Sequence, residues 1–229
     1  MCVTPSHQFP LGMAMSLRRR RALLAWARAH DATVLEDDYD GEFRYGPRPL
    51  DALKTLDADG NVFYVGTFSK TMFPALRLGY VVVPGWARPA FVAAKEVSDW
   101  NSGTIEQDTL AAFIAEGHLA RHLRKARTLY AQRREAMLRG VQEHLAGLAT
   151  VRPSEAGLHI ACVVPDGRAL QGAVNGAESA GLRFHTFRAE GRRGEAGILL
   201  GFGRADRKDI APGLRTLAGL LRSTRPGLP

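Results

Sequence analysis

Hydrophobic and polar positions along the chain form two kinds of pattern, short apolar runs and longer amphipathic stretches. The apolar runs predict three strands in the first half, ATVLEDDYD, NVFYVGTF and LRLGYVVVP, and three in the second, GLHIACVVP, LRFHTF and GILLGFGR. Most of the chain between these runs has its apolar residues at helical spacing. Ser16 is a suitable N-cap for a helix that ends near His30, and residues 104–148 are predicted to be helical with a break near Gly117.

The order of these elements predicts an α/β fold in two parts. We expect a partial large domain with a mostly parallel sheet at residues 1–116, a connecting helix at 117–150, and a smaller α+β C-terminal domain at 151–229. The chain opens directly on a strand and a turn of the kind found in the middle of an α/β sheet. We therefore expect that an N-terminal part of the large domain is missing.

Composition is that of a globular protein: 229 residues, 45% hydrophobic and 24% charged. No apolar run reaches the roughly 18 to 20 residues that span a bilayer, and the N-terminus lacks a signal-peptide layout. The cysteines, Cys2 and Cys162, are too few for a disulfide framework and lack the spacing of metal ligands. These features predict a cytoplasmic protein without a metal site.

The formal charge of +8 raises the question of nucleic-acid binding, for which SLRRRRALLAWARAHD offers the best evidence. On a helix, the four arginines at positions 18–21 spread around the axis while Leu17, Leu24 and Ala25 form an apolar side. A solvated helix face explains this run more simply than phosphate binding does. The sequence has no helix-turn-helix or zinc-finger pattern to support DNA contact.

Lysine is scarce, with only five residues against 26 arginines, and Lys70 stands between two strand-like runs. A lysine in a dry pocket loses its proton more readily than an arginine and then acts as an amine nucleophile. In open α/β sheets, ligands collect beyond the carboxyl ends of strands. Polar side chains that end two predicted strands are expected to converge there with Lys70; they are Asp37, Tyr39, Thr67 and Ser69, with Arg77 following.

Pyridoxal 5′-phosphate is the ligand that uses this set of groups. A lysine forms its Schiff base and a carboxylate keeps the pyridine nitrogen protonated. A phenol hydrogen-bonds the ring oxygen O3′, while hydroxyls and a guanidinium hold the phosphate dianion. Taken singly, Asp-Asp-Tyr usually marks a turn at a strand end and Ser-Lys usually carries no function. Their combination with Arg77 favours the cofactor.

Several motifs together resemble the aminotransferase-like domain of MocR/PdxR-type regulators of the GntR family: TPSHQFPLG, EDDYDGEFRY, GTFSKTMFPALRLGY, EGHLARHLRKAR and LLGFGRADRKDI. The resemblance implies a fold-type-I, pyridoxal-phosphate-dependent transferase-like architecture and a homodimer. It also implies that DNA is bound only by a winged helix-turn-helix domain that this chain lacks. By this resemblance Lys70 is the Schiff-base lysine, Asp37 faces the pyridine nitrogen and Tyr39 faces O3′. The implied phosphate contacts are Thr67, Ser69 and Arg77.

Two departures from ordinary aminotransferases concern residues around the cofactor and the substrate. HQFPLG has Phe9 before Pro10, where those enzymes have Asn-Pro, so an amide contact is lost unless Gln8 replaces it. The late strand GILLGFG has Leu199 where those enzymes carry the arginine that binds the substrate carboxylate. Arg188, slightly upstream in FHTFRAEG, is the candidate to bind a substrate or effector, against the alternative of a solvated loop arginine.

The first functional hypothesis is a regulatory domain that senses an amino compound through aldimine exchange, in which the compound displaces Lys70 from the cofactor. The alternative is a class I/II aminotransferase acting on an amino acid, with Lys70 as general base. A further alternative is an inactive fragment. The sequence alone leaves these three open.

Overall fold

The computed structural model describes residues 1–46, 51–100, 103–188 and 195–223. The chain divides into two compact units, one of Met1–Phe9 with Met13–Ala126 and one of Pro10–Gly12 with Arg127–Pro229. The division between Ala126 and Arg127 falls inside the predicted connecting helix. The three-part domain scheme stays a prediction.

The first unit is built on a sheet of four strands, β1 (Cys2–Val3), β2 (Val34–Asp38), β3 (Val62–Thr67) and β4 (Gly79–Val82). They lie in the order β1-β2-β3-β4, in which β1, β2 and β3 are parallel and β4 is antiparallel to β3. A mostly parallel sheet was predicted and is observed. The helices are α1 (Leu17–Ala29), α2 (Leu53–Leu56), α3 (Arg88–Asp99), α4 (Thr104–Ala115) and the start of α5 (His118–His144).

Local sequence explains where these elements begin and end. Ser16 caps α1, since its side-chain oxygen accepts a hydrogen bond from the Arg19 backbone N–H at 3.4 Å. Gly117, with φ of +74°, separates α4 from α5 at the predicted break. Four fully buried side chains on α1, α2 and the two central strands form a core: Ala27, Val34, Leu53 and Val62.

The arginine run on α1 differs from the predicted solvated face at one position. Arg18, Arg19 and Arg21 are exposed, but Arg20 is only 1% exposed. Its guanidinium donates to three backbone carbonyls, at 2.7 Å to Pro5, 2.8 Å to Asp51 and 3.0 Å to Met15. These carbonyls replace the water that a buried guanidinium loses. The interpretation as a solvated face was therefore wrong for Arg20.

The second unit contains a fully antiparallel sheet in the order β5-β6-β8-β7. α6 packs against α7, and Gly176 leaves room for a Leu220 methyl that lies 2.7 Å from where a Cβ would stand. The strands are β5 (Thr150–Val151), β6 (His159–Val163), β7 (His185–Arg188) and β8 (Ala196–Gly201). Its own helices are α6 (Gly167–Ala177) and α7 (Arg207–Ser223). Among the described residues, no helix is both long and apolar enough to cross a membrane.

Candidate functional site

The carboxyl ends of β2 and β3 lie at the same edge of the first sheet. These strands are parallel, with Asp37 paired to Val65 and Asp38 to Gly66. The acidic end of β2 and the Thr67 end of β3 therefore face the same side, as predicted. β2 ends at Asp38, so Tyr39 lies in the bend that follows the strand.

The segment between β3 and β4 carries Ser69 and Arg77. Thr67 pairs with the first residue of β4, and the Phe68 N–H donates to the Leu78 carbonyl at 3.0 Å. The Ser69 N–H donates to the Thr67 hydroxyl oxygen at 3.1 Å, which fixes the start of the turn.

Lys70 follows in this turn, and its side chain is exposed. The turn closes through a hydrogen bond from the Met72 N–H to the Phe68 carbonyl at 2.8 Å. Lys70 is exposed because the residue leaves the sheet on a turn instead of ending the strand. Its amine is accessible to a ligand at the strand edge.

Arg77 has a left-handed backbone, with φ of 53° and ψ of 30°, and its side chain is exposed. This conformation costs a residue with a Cβ about 1 kcal/mol relative to glycine. The turn therefore maintains a strained arginine where a glycine would fit better. Strain of this kind is most frequent at functional sites.

Asp37 is half-buried, and three effects raise the pKa of its carboxyl: burial first, then the charges of Asp38 and Asp40. Asp38 accepts a hydrogen bond from the Tyr64 hydroxyl at 2.9 Å through Oδ2. Its Oδ1 is buried and has no hydrogen-bond partner among the described residues. The end of β2 thus concentrates desolvated negative charge, which a cation would stabilise.

Tyr39 belongs to a buried polar cluster that the sequence did not predict. Its hydroxyl donates to the His7 backbone carbonyl at 3.0 Å and lies 3.2 Å from His7 Nδ1. The same Nδ1 lies 2.9 Å from Asp40 Oδ2. In the sequence, Asp40 is one acid of EDDYD and His7 begins HQFPLG, and neither pattern marks a buried pair. Their pairing across 33 positions leaves no local signal.

Gly66 on β3 makes room for the Tyr80 side chain of β4. A Cβ on Gly66 would stand 2.4 Å from a carbon of the Tyr80 ring, too close for any side chain. The Tyr80 ring thereby lies beside the Tyr64 ring, with 6.1 Å between ring centres. This packing supports the hydroxyl that binds Asp38.

The predicted effector residue, Arg188, lies in the second unit as the last residue of β7 and is exposed. The neighbouring arginines at 192 and 193 lie outside the described residues. Leu199 is 5% exposed and packs in a core with Ala161 and Phe187. β8 therefore presents an apolar side chain at the position where a carboxylate-binding arginine was considered. The role of Arg188 stays a prediction.

The groups at the sheet edge of the first unit fit pyridoxal 5′-phosphate in chemical type. The desolvated Asp37 carboxylate suits a positively charged ring nitrogen, and the exposed Lys70 amine suits an aldehyde. Ser69 and Arg77, both in the segment between β3 and β4, supply a hydroxyl and a planar cation for a phosphate dianion.

Comparisons with known proteins agree with this chemistry. The family "Aminotransferase class I and II" matches residues 2–167. The probable rhizopine catabolism regulatory protein MocR of Rhizobium meliloti is 37% identical over 219 residues, covering 94% of this chain and 44% of its own length. The HTH-type pyridoxine biosynthesis transcriptional regulator PdxR of Corynebacterium glutamicum is 34% identical over 210 residues, covering 90% of this chain and 45% of its own length.

The solved structure of Pyrococcus horikoshii kynurenine aminotransferase, in complex with PMP, superposes with a TM-score of 0.88 and 29% identity. The superposition covers 99% of this chain and 56% of that one. It confirms the predicted fold-type-I architecture. The chain spans 44–45% of the length of the two regulators.

The matches also test two predictions made from the sequence, the resemblance to MocR/PdxR regulators and the cofactor. The resemblance to MocR/PdxR regulators is confirmed by both curated relatives. Pyridoxal 5′-phosphate as cofactor is confirmed by the family match together with solved structures of aminotransferases in complex with PMP or with a phosphopyridoxyl-leucine compound. With the family matching well over half of its residues, the chain belongs to the aminotransferase class I and II family, as an aminotransferase-like domain homologous to the MocR/PdxR regulators.

Proposed function

We propose that this domain holds pyridoxal 5′-phosphate on Lys70 and senses a small amino compound that takes the place of the lysine amine. The observation that carries the proposal is the common edge of β2 and β3: Asp37 lies near the carboxyl end of β2, and the segment that follows β3 carries Ser69, Lys70 and Arg77. Similarity to regulators over 90% or more of the chain supports the sensory role.

The cofactor supplies an aldehyde carbon that reacts with primary amines, and a ring that withdraws electrons. With the cofactor bound, Asp37 would pair with its ring nitrogen, and this pairing would offset the burial that raises the pKa of the Asp37 carboxyl. Ser69 and Arg77 would hold its phosphate. Lys70 is free to leave because it stands on an exposed turn.

The sensory role is preferred to catalysis because β8 carries a leucine, Leu199, where an arginine was considered for binding the substrate carboxylate. An aminotransferase must hold the carboxylate of its substrate in a fixed position, which a guanidinium does well and an alkyl group does not. In this chain Leu199 is buried in the core of the second unit. Binding of an amino compound then depends on Arg188, an exposed residue at a strand end.

Turnover is the second candidate function, favoured by the superposition on a kynurenine aminotransferase at 29% identity. In that case Lys70, once displaced, would carry the proton between substrate and cofactor as a general base. Both candidates need the same cofactor site and differ in whether the amino group is transferred.

We also propose that the domain acts in the cytoplasm as a homodimer. Apolar side chains on the segment after Lys70 and on α4 are exposed, including Phe73 at 51% and Ile105 at 78%. They flank an apolar groove with a volume of about 200 Å³. Exposed apolar surface of this kind is typical of protein interfaces.

The decisive experiment is a titration of the chain with pyridoxal 5′-phosphate, followed by visible absorbance, and then with a panel of amino compounds. A sensor changes its spectrum with the amine and leaves added 2-oxoglutarate unconsumed. Consumption of 2-oxoglutarate would instead establish the enzyme.

Arg188→Ala should weaken the response to carboxylated amines, whereas the control Arg168→Ala, at an exposed position of α6, should not. Absence of any cofactor spectrum would refute the proposal.

Arg77→Gly is expected to separate the strain at this residue from its charge. Glycine removes the left-handed penalty of about 1 kcal/mol, so the variant should unfold at the same temperature as the parent or higher. Loss of the guanidinium should weaken cofactor binding about ten- to hundredfold, as expected for a charge-assisted hydrogen bond. Thermal unfolding and cofactor titration measure the two effects.

Arg77→Ala is the matched variant, since it loses the charge but keeps the strained backbone. It should bind the cofactor as weakly as Arg77→Gly and be less stable. Cofactor affinity equal to the parent in both variants would exclude Arg77 as a phosphate ligand.

A further inference from the structure

His122 is a histidine of α5 to which the proposed function assigns no role, and it contacts the turn that carries Lys70. Its ring nitrogen Nε2 lies 2.9 Å from the backbone carbonyl oxygen of Thr71, 51 positions earlier in the chain. Thr71 follows Lys70 directly and is 2% exposed, whereas His122 is exposed. A hydrogen bond within the first unit thus joins α5 to the residue next to the proposed Schiff-base lysine.

The chemistry of this contact fixes which atom of His122 donates. A carbonyl oxygen only accepts hydrogen bonds, so Nε2 carries a hydrogen and donates it to Thr71. Nε2–H is present in one neutral tautomer and also in the imidazolium ion, so protonation at Nδ1 leaves the bond in place. A glutamine amide nitrogen stands about as far from its Cα as Nε2 does, whereas that of asparagine is too close to its backbone to reach.

The Thr71 carbonyl belongs to a turn that two further hydrogen bonds close from within. The Met72 N–H donates to the Phe68 carbonyl at 2.8 Å, and the Thr71 hydroxyl donates to the same oxygen at 3.4 Å. Both bonds span Lys70. Residues 73–75, which follow the turn, are exposed. Short exposed segments held by local hydrogen bonds open readily, so a bond from a separate helix restrains this turn further.

We propose that His122 is a positioning residue, which holds the Lys70 turn through the Thr71 carbonyl and so keeps the Lys70 amine in place to bond the cofactor aldehyde. The inference rests on the proposed function and deepens it. A lysine on a fixed turn competes with free amines through its high effective concentration, and a turn that opens more often loses part of that advantage. His122 therefore sets the concentration at which an amino compound takes the place of Lys70.

Hydrogen exchange in the cofactor-free 229-residue chain tests the positioning step by itself. His122→Phe should accelerate exchange of the Met72 N–H about two- to tenfold, the range expected for the loss of one hydrogen bond. His122→Gln should restore the parent rate, and His122→Asn should not. The control is Arg121→Phe, at the exposed position one residue earlier on α5, which should keep the parent rate. A Met72 rate unchanged in His122→Phe overturns the inference whether or not cofactor binds.

Titration of the cofactor-loaded chain with methylamine, followed by visible absorbance, tests the effect on Lys70. Methylamine has no carboxylate, so its binding does not involve Arg188. As its nitrogen bonds the cofactor carbon, the bond to Lys70 breaks and two hydrogens pass to the lysine nitrogen, so no oxidant or reductant is needed. The half-displacing concentration should fall about two- to tenfold in His122→Phe and return to the parent value in His122→Gln.

The outcomes distinguish the inference from the proposed function. A chain without any cofactor spectrum refutes the proposed function, and the exchange rate of the Met72 N–H still decides the role of His122. A purely structural role would lower thermal stability in His122→Phe and leave the half-displacing concentration in place. A chain that binds cofactor but shows this concentration unchanged or raised in His122→Phe refutes the inference alone.

Discussion

Replacing Lys70 with alanine is expected to abolish the covalent attachment of pyridoxal 5′-phosphate completely. The amine is the group proposed to bond the cofactor aldehyde, and the other candidate groups at this edge, a carboxylate, a hydroxyl and a guanidinium, do not form a Schiff base. Because Lys70 is exposed on a turn, the fold should persist, with a change in unfolding free energy within about 0.5 kcal/mol. Absorbance spectra, borohydride reduction and peptide mapping measure attachment, and circular dichroism measures the fold.

Lys125→Ala provides the control, because Lys125 is also exposed but lies on α5. It should retain the parent spectrum, and reduction should still label the peptide that contains Lys70. A visible band that survives in Lys70→Ala, or a label on another lysine in the parent chain, would refute the assignment.

The position of Lys70 was predictable, but its environment was not. Apolar runs on both sides marked two neighbouring strands, and the structure has them as β3 and β4. Whether the residue between them ended the strand or entered the turn depended on the Phe68–Leu78 and Phe68–Met72 hydrogen bonds. These are set by hairpin geometry and not by hydrophobic pattern.

The sequence patterns did not predict which charged residues are buried. In the arginine run all four residues look alike, and only contacts 15 and 31 positions away, to Pro5 and Asp51, distinguish Arg20. His7 and Asp40 were missed for the same reason. A polar residue is assigned to the surface by default, unless a partner far along the chain is known.

Arg20 and Glu36 form the buried framework behind the candidate site. Glu36, which is fully buried on β2, accepts hydrogen bonds from the Leu53 and Lys54 backbone N–H groups at 2.7 and 2.8 Å. Its carboxylate lies 3.9 Å from the Arg20 guanidinium. Arg20 in turn holds the Pro5 carbonyl, two residues before His7. The pair thus connects the end of β2 to the segment that positions Tyr39.

Arg20→Met is expected to lower the unfolding free energy by about 3–5 kcal/mol at neutral pH, since it leaves a buried carboxylate and three carbonyls without their partner. Denaturant unfolding measures the loss. Arg19→Met, one residue earlier and exposed, should stay within about 0.5 kcal/mol of the parent. A loss in Arg20→Met no larger than this control would show that the buried cluster contributes little.

The loss should also depend on pH in a definite direction. Burial raises the pKa of Glu36 in the folded chain, and Arg20 opposes that rise. A raised folded pKa gives stability that is present below the unfolded pKa and is lost as pH rises through the folded value. Without Arg20 the folded pKa of Glu36 rises further, so the deficit of Arg20→Met should grow from acidic to neutral pH.

Adding Glu36→Gln tests this origin of the pH dependence. The double variant has no carboxylate to titrate, so the pH-dependent part of the deficit should disappear while the part due to the three unpaired carbonyls remains. A deficit that stays equally pH-dependent would assign the effect to another group. Because Arg20 and Glu36 fix both β2 and the segment around Pro5, both variants should also shift the nuclear magnetic resonance signals of the Tyr39 ring. The geometry of the site would then depend on a salt bridge to which the proposed function assigns no contact with the ligand.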